Sequence, residues 1–152
     1  MVPYYHGTML APHRIKACDL LADDELFGRF ESALIPSEDY RHREHVRTAF
    51  IYLSRYPDLA EAALHFRRAL RRYAVAQGVP QLFHETLTWA YLALINQRMR
   101  LGGGGGSAQF LRRNPDLLSH REGLLARYYD VGAMTSSPLA REVFLLPGGK
   151  GR

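Results

Sequence analysis

The sequence predicts an all-α fold: a single-domain helical bundle of three long helices plus shorter closing helices. Three observations carry that expectation. Apolar residues recur at helical spacing over long segments, and Pro, Gly and Ser fall at the segment ends. No strand-like alternation runs beyond about four residues. The length of 152 residues suits one domain with a real core.

Taken in order, residues 1–19 read as an irregular arm holding Pro3, Gly7 and Pro12 with Tyr4, Tyr5, His6 and His13. "ADDELFGRFESAL" (22–34) places Leu26, Phe27, Phe30 and Leu34 on one helical face, with acidic residues in the first turn, where they suit the helix dipole. Pro36 ends it, and Ser37 is an N-cap candidate for a helix over about 38–55 with Val46, Ala49, Phe50 and Leu53 inward. Pro57 stands near the first turn of the next helix, and Gly78 stops it. That helix points Leu59, Ala62, Ala63, Phe66, Leu70 and Tyr73 or Ala74 inward.

Pro80 opens a third long helix that runs to a glycine run. Apolar residues nearly encircle its middle, which predicts the most buried helix. "GGGGGS" (102–107) reads as a flexible low-complexity loop, and no Lys-Ser or Lys-Thr follows it to make a phosphate-cradling loop. "SAQFLRRNPDLL", "SHREGLLARYY" and "SSPLAREVFLL" read as short helices with serine caps. The helical domain then spans 20–147, with 148–152 as a frayed tail.

Composition narrows the function classes. Apolar residues at 47% and charged residues at 23% are ordinary for a globular protein and too apolar for disorder. A formal charge of +5 admits a polyanion partner without requiring one. Cys18 is the only cysteine, which rules out an internal disulfide and a cysteine-based zinc site. With no leader and no apolar run near the roughly 20 residues of a membrane span, the expectation is a soluble cytoplasmic protein.

The chemistry-bearing residues cluster in "HREHVRTAFIYL" (42–53) and "FHETLTWAYL" (83–92). His42 and His45, three apart, share a helix face beside Val46 and Ala49. His84 lies on the inward side of its own helix, and Glu85 is about 100° around from it. Short turns favour antiparallel neighbours, so the two motif helices are parallel to each other and their N-terminal ends share one end of the bundle. His42, His45, His84 and Glu85 are therefore expected to meet there.

Two chemistries suit such a set. One is a mononuclear site for one divalent metal ion with ligands His42, His45, His84 and Glu85. A di-iron site lacks its repeated Glu-x-x-His pairs. The other is acid/base work by His45 and His84 with Glu85 orienting, while Thr88 and Tyr129 supply hydrogen bonds. The plainer alternative is that the histidines are hydrogen-bonded core or rim residues. His65 shares a face with Glu61, Arg68 and Arg72 and reads as solvated; His6, His13 and His120 have no informative spacing.

These two segments and "LLARYYDVGAMTSSPLAREVFLLP" resemble the motif series of a small uncharacterised bacterial all-helical family. Its members carry a His-Arg/Lys-Asp/Glu-His helix, a Tyr/Phe-His-Glu-Thr/Ser helix and a Tyr-Tyr…Ser-x-x-Ala-Arg tail. The resemblance covers about residues 37–147. It implies roles for His42, Glu44, His45, His84, Glu85, Thr86, Thr88, Tyr129, Ser137 and Arg141, and it implies no particular reaction. Gly148 stands where that pattern has an acidic residue.

Arg141 falls in a short helix capped by Ser136 or Ser137, with Pro138 in its first turn. It is expected to pair with Glu85 or Glu44, to clamp an anionic substrate, or to lie on the surface. Arg67, Arg68, Arg71 and Arg72 form a basic stripe, but no nucleic-acid-binding signature accompanies it, so nucleic acid is disfavoured as a partner. Trp89 and Tyr91 are either core residues or docking anchors, and a homodimer is compatible with the chain. The leading expectation is an enzyme or small-ligand binder with a His/Glu polar pocket at one end of the bundle, taking a small molecule, with Arg141 favouring an anionic one. The alternative is a non-catalytic protein-interaction or structural bundle.

Overall fold

The computed structural model describes residues 17–119 and 123–148. Among them lie seven α-helices, four short 3₁₀ turns and no strand, so the chain is an all-α bundle. His6, His13, His120 and most of the expected arm and tail fall outside the described residues; Ala17–Leu20 form a 3₁₀ turn. No helix among the described residues is long and apolar enough to cross a membrane.

Helix α1 (Asp23–Glu31) buries Leu26 and Phe30. It stops short of the expected residue 34. Ala33 takes the left-handed conformation (φ 54°), and the Leu34 N–H donates back to the Arg29 carbonyl. This is the closure usually made by glycine, and it turns Leu34 out to solvent. Helix α2 (His42–Arg55) begins later than expected. Ser37 is not its cap: the Ser37 N–H donates to Gln77 Oε1, and residues 36–40 form a turn that carries Tyr40 into the core. The Glu44 carboxylate accepts from the Arg41 N–H at the true start.

Every residue from Val46 to Leu53 is buried, which makes α2 the central helix. The expectation had been the helix after Pro80. Its counterpart, α4 (Glu85–Leu101), leaves Ala93 and Gln97 exposed. Polar residues on α2 hid its burial from the hydrophobic pattern, because Glu44, Arg47 and Thr48 are buried with partners.

Between them α3 (Leu59–Ala76) starts at an Asp58 cap on the Glu61 N–H and buries Ala62, Ala63, Phe66, Leu70, Tyr73 and Ala74. Gly78 ends it at φ +71°, with the Val79 N–H on the Ala74 carbonyl. Pro80–Leu82 make only a 3₁₀ turn; Phe83 and His84 are extended, and α4 starts at Glu85. Helix α5 (Ser107–Arg113) follows the glycine loop, which Arg113 holds through the carbonyls of Gly103 and Gly104.

Of the three short helices expected after the glycine loop, "SHREGLLARYY" gives only a 3₁₀ turn over Leu124–Arg127 among its described residues, and a helix not expected precedes the last one. Asp130 caps α6 (Val131–Ser136) and Ser137 caps α7 (Pro138–Glu142), each through its side chain. Helix α7 and the residues after it dock on the first turn of α4. The buried Thr86 hydroxyl donates to the carbonyls of Ala140 and Val143 and accepts from the Leu145 N–H.

Two clusters hold the core. Phe30 stacks on Tyr40 and Phe66, meets Tyr52 edge-on, and packs against Tyr73. On the other flank Arg47, 8% exposed, donates to Ser107 Oγ (2.8 Å), the Cys18 carbonyl (2.8 Å), the Leu21 carbonyl (2.5 Å) and Asp23 Oδ1 (3.1 Å). Asp23 also accepts from the N–H and hydroxyl of Ser107, so the starts of α1 and α5 are tied to the middle of α2.

Candidate functional site

The N-terminal halves of α2 and α4 lie side by side, with α3 behind them, and enclose a cavity of about 490 Å³. His42, His45, Val46 and Ala49 of α2 line it, as do Leu87, Thr88 and Tyr91 of α4 and the preceding His84. The i, i+3, i+4, i+7 spacing puts each set on one face. Tyr40, Arg41, Leu82, Phe66 and Leu70 complete the wall. The three histidines thus border one cavity. Its deeper walls are apolar, which makes the pocket amphipathic rather than polar.

His84 is the N-cap of α4. Its Nδ1 accepts from the Leu87 N–H at 3.2 Å, so Nε2 carries the proton and faces the Met134 carbonyl at 3.3 Å. Both ring nitrogens are occupied and the ring is neutral. Burial, helped by the Arg141 charge, pushes its pKa below the ordinary 6.5, against the pull of the Met134 carbonyl. His84 is therefore a structural clamp between α4 and α6, and the expected acid/base role gives way to this one.

The lowered pKa has a signed consequence. Below about pH 6.5 the unfolded chain takes a proton at His84 that the native chain refuses, so stability falls as pH drops from there through the depressed native value. In His84→Asn the amide can still cap the helix. Chemical denaturation of that variant between pH 5 and 7.5 is expected to show a shallower loss of stability, by up to about one proton. An unchanged slope would contradict the assignment.

His42 donates from Nε2 to the Leu117 carbonyl at 2.7 Å, and its ring lies 4.9 Å from that of Tyr91. The His45 ring packs on Tyr40 at 4.2 Å. The Tyr40 hydroxyl bonds Thr48 Oγ1 at 2.7 Å; Thr48 points its own proton at the Glu44 and His45 carbonyls, so Tyr40 is the donor. Burial above all holds the Tyr40 phenol far above its usual range, and burial pushes Tyr91 up to about 12. Both stay protonated at neutral pH.

Glu85 does not join them. Its carboxylate pairs with Arg67 (2.5 Å) and Arg71 (3.1 Å) and accepts from Trp89 Nε1 (2.9 Å), outside the cavity. Arg67 also lies over the Trp89 ring and Arg71 over Phe83. The 100° step from His84 carries Glu85 onto the α3 side. The four expected metal ligands do not gather: the group of His, Cys, Asp or Glu close enough to share an ion, among the described residues, is Cys18, Asp19 and Glu44. With His84 and Glu85 otherwise engaged, the metal-ligand set His42, His45, His84 and Glu85 is corrected.

Of the remaining expected residues, Thr88 lines the cavity with its hydroxyl bonded to the His84 carbonyl. Tyr129 does not line it. Tyr129 borders a separate groove of about 380 Å³ and donates to the Leu145 carbonyl. Arg141 pairs with neither glutamate; it donates to the carbonyls of Gln81 and Phe83 and so braces the approach to α4. Sequence reasoning passed over Tyr40 and Arg41, which stand directly before the first motif, and placed Tyr91 as core or anchor. Its spacing of seven from His84 was the available signal. No family model, curated protein or solved structure matches the chain.

Proposed function

We propose that the protein binds a small organic molecule in the cavity between α2, α3 and α4, with His45 as the group that exchanges protons there. The observation that carries this reading is the convergence of His42, His45, Thr88 and Tyr91 from two helices on one cavity of about 490 Å³. That size lies within the range of roughly 300–1,000 Å³ typical of ligand pockets. Apolar walls with a few polar groups at one end are the usual composition of such a site. His45 takes the proton role in this reading because His84 is spent as a cap, and imidazole is the side chain most often used for general acid–base work. A cytoplasmic setting fits the single buried thiol of Cys18.

The basic stripe supports this over a nucleic-acid role. Arg67 and Arg71 share Glu85, and Arg72 pairs with Glu31. Two carboxylates thus offset about half of the four charges of the stripe on the protein itself.

Filling the cavity tests the reading. The neutral fluorophore N-phenyl-1-naphthylamine is expected to bind the protein saturably, one per chain. Ala49→Phe, which places a ring in the space beside Val46, is expected to weaken it by about tenfold or more, equivalent to the roughly 1.4 kcal/mol of one decade. Equal affinity in the variant would sink the proposal.

A further inference from the structure

We infer that the ligand is an amphiphilic monoanion, held with its acid group at Arg41 and its apolar body running inward between Phe66, Leu70 and Ala49. This rests on the reading of the cavity as a binding site and names the class of molecule it takes.

The charge of the lining sets the sign. Arg41 is a permanent cation on the cavity wall, three histidines accompany it, and no aspartate or glutamate is among the lining residues. Arg41 is exposed, and its Nε donates to the Glu38 carbonyl. Among the described residues no carboxylate pairs with its guanidinium, whereas Arg47, Arg55, Arg67, Arg71, Arg72 and Arg98 are each paired. The starts of α2 and α4, the positive ends of two long helices, open on the same cavity and add to the field. The Glu44 carboxylate on the Arg41 N–H offsets part of this field, but it is buried and does not line the cavity, so the lining itself favours an anionic head over a cationic one.

Depth sets the body. Arg41 and Ala49 are separated by about 12 Å along the helix axis. Over that distance the lining passes from Arg41, His42 and His84 to Val46, Ala49 and Leu70. A chain of about eight carbons covers about 10 Å of it, at roughly 1.25 Å per carbon, and each buried methylene adds to the affinity. A carboxylate is the acid group matched to a single arginine fork.

Calorimetry with octanoate, octanol and octylammonium at neutral pH separates the outcomes. Octanoate is expected to bind about tenfold tighter than octanol, as a partly exposed charge-assisted contact allows, and octylammonium weakest. Arg41→Gln is expected to erase the preference for octanoate and leave octanol unchanged, and Ala49→Phe to weaken both. Octanol equal to octanoate, or octylammonium tightest, overturns the anion and leaves the binding cavity standing. Octanoate insensitive to both substitutions also overturns it, since the molecule then sits elsewhere. Failure of all three probes to bind overturns the inference and the cavity reading together.

Discussion

Replacing Arg47 with methionine is expected to destabilise the fold by about 2–4 kcal/mol, the loss of the several hydrogen bonds of a buried guanidinium whose Asp23 partner is part-exposed. Methionine keeps much of the volume and the apolar stem. What disappears is the set of donors that joins Cys18, Leu21, Asp23 and Ser107. Asp23 is left with the Ser107 donors alone, the Leu21 carbonyl loses the Arg47 donor, and the Cys18 carbonyl keeps only the Leu21 N–H. Lysine at the same position is expected to recover little, because one ammonium cannot reach four acceptors in a fixed fork. Asp23→Asn added to Arg47→Met is expected to recover part of the loss, since it removes the stranded charge. Urea denaturation of the four proteins reads these differences.

The pH dependence of the same node has a definite sign. Burial works to raise the Asp23 pKa, but hydrogen bonds from Ser107 and Arg47 and the Arg47 charge outweigh it, and the net shift is downward. Its stabilising contribution is therefore present above about pH 4, the unfolded carboxylate range, and is lost as pH falls through the depressed native value.

Phe30→Ala is expected to cost about 3–5 kcal/mol, as for other fully buried rings, and to lower Tm by roughly 6–20 °C in a domain of this length. Phe30 is 1% exposed and contacts four aromatic rings on α2, α3 and the turn before α2. The Tyr40 ring stacks on Phe30 at 5.2 Å on its way to the cavity wall. The variant is therefore expected to bind N-phenyl-1-naphthylamine less tightly even well below its own Tm. Calorimetric scans together with probe titrations at low temperature check both effects. Phe30→Leu, which leaves less empty space, is expected to show a smaller loss in each.

The three long helices were legible because their apolar faces are regular and their stops, such as Gly78, are chemically clear. The cavity was half legible. Spacing of three and four placed His42, His45, Thr88 and Tyr91 on inward faces, and short turns put the two motif helices at one end of the bundle. The roles were not legible. Histidine is outside the usual set of N-caps, so the break before Glu85 was masked by the continuous helical pattern after Pro80. Nothing local in "HREHVRTAF" says that Arg47 points inward, because its partners lie more than twenty residues away in sequence. Glu85 was misplaced for a similar reason, since its partners are Arg67 and Arg71 on α3, whereas Arg141 is exposed, as its surface alternative expected.

The way Thr86 grips residues 140–145 has a consequence for biosynthesis. One wall of the cavity begins at the turn that this late stretch of chain braces. During translation α2, α3 and α4 leave the ribosome first and wait, with Thr86 still turned to water, until the last part of the helical region arrives. Under the proposed binding function, ligand competence would then be a late event on the nascent chain, and a ligand captured at that stage would draw the final docking step forward.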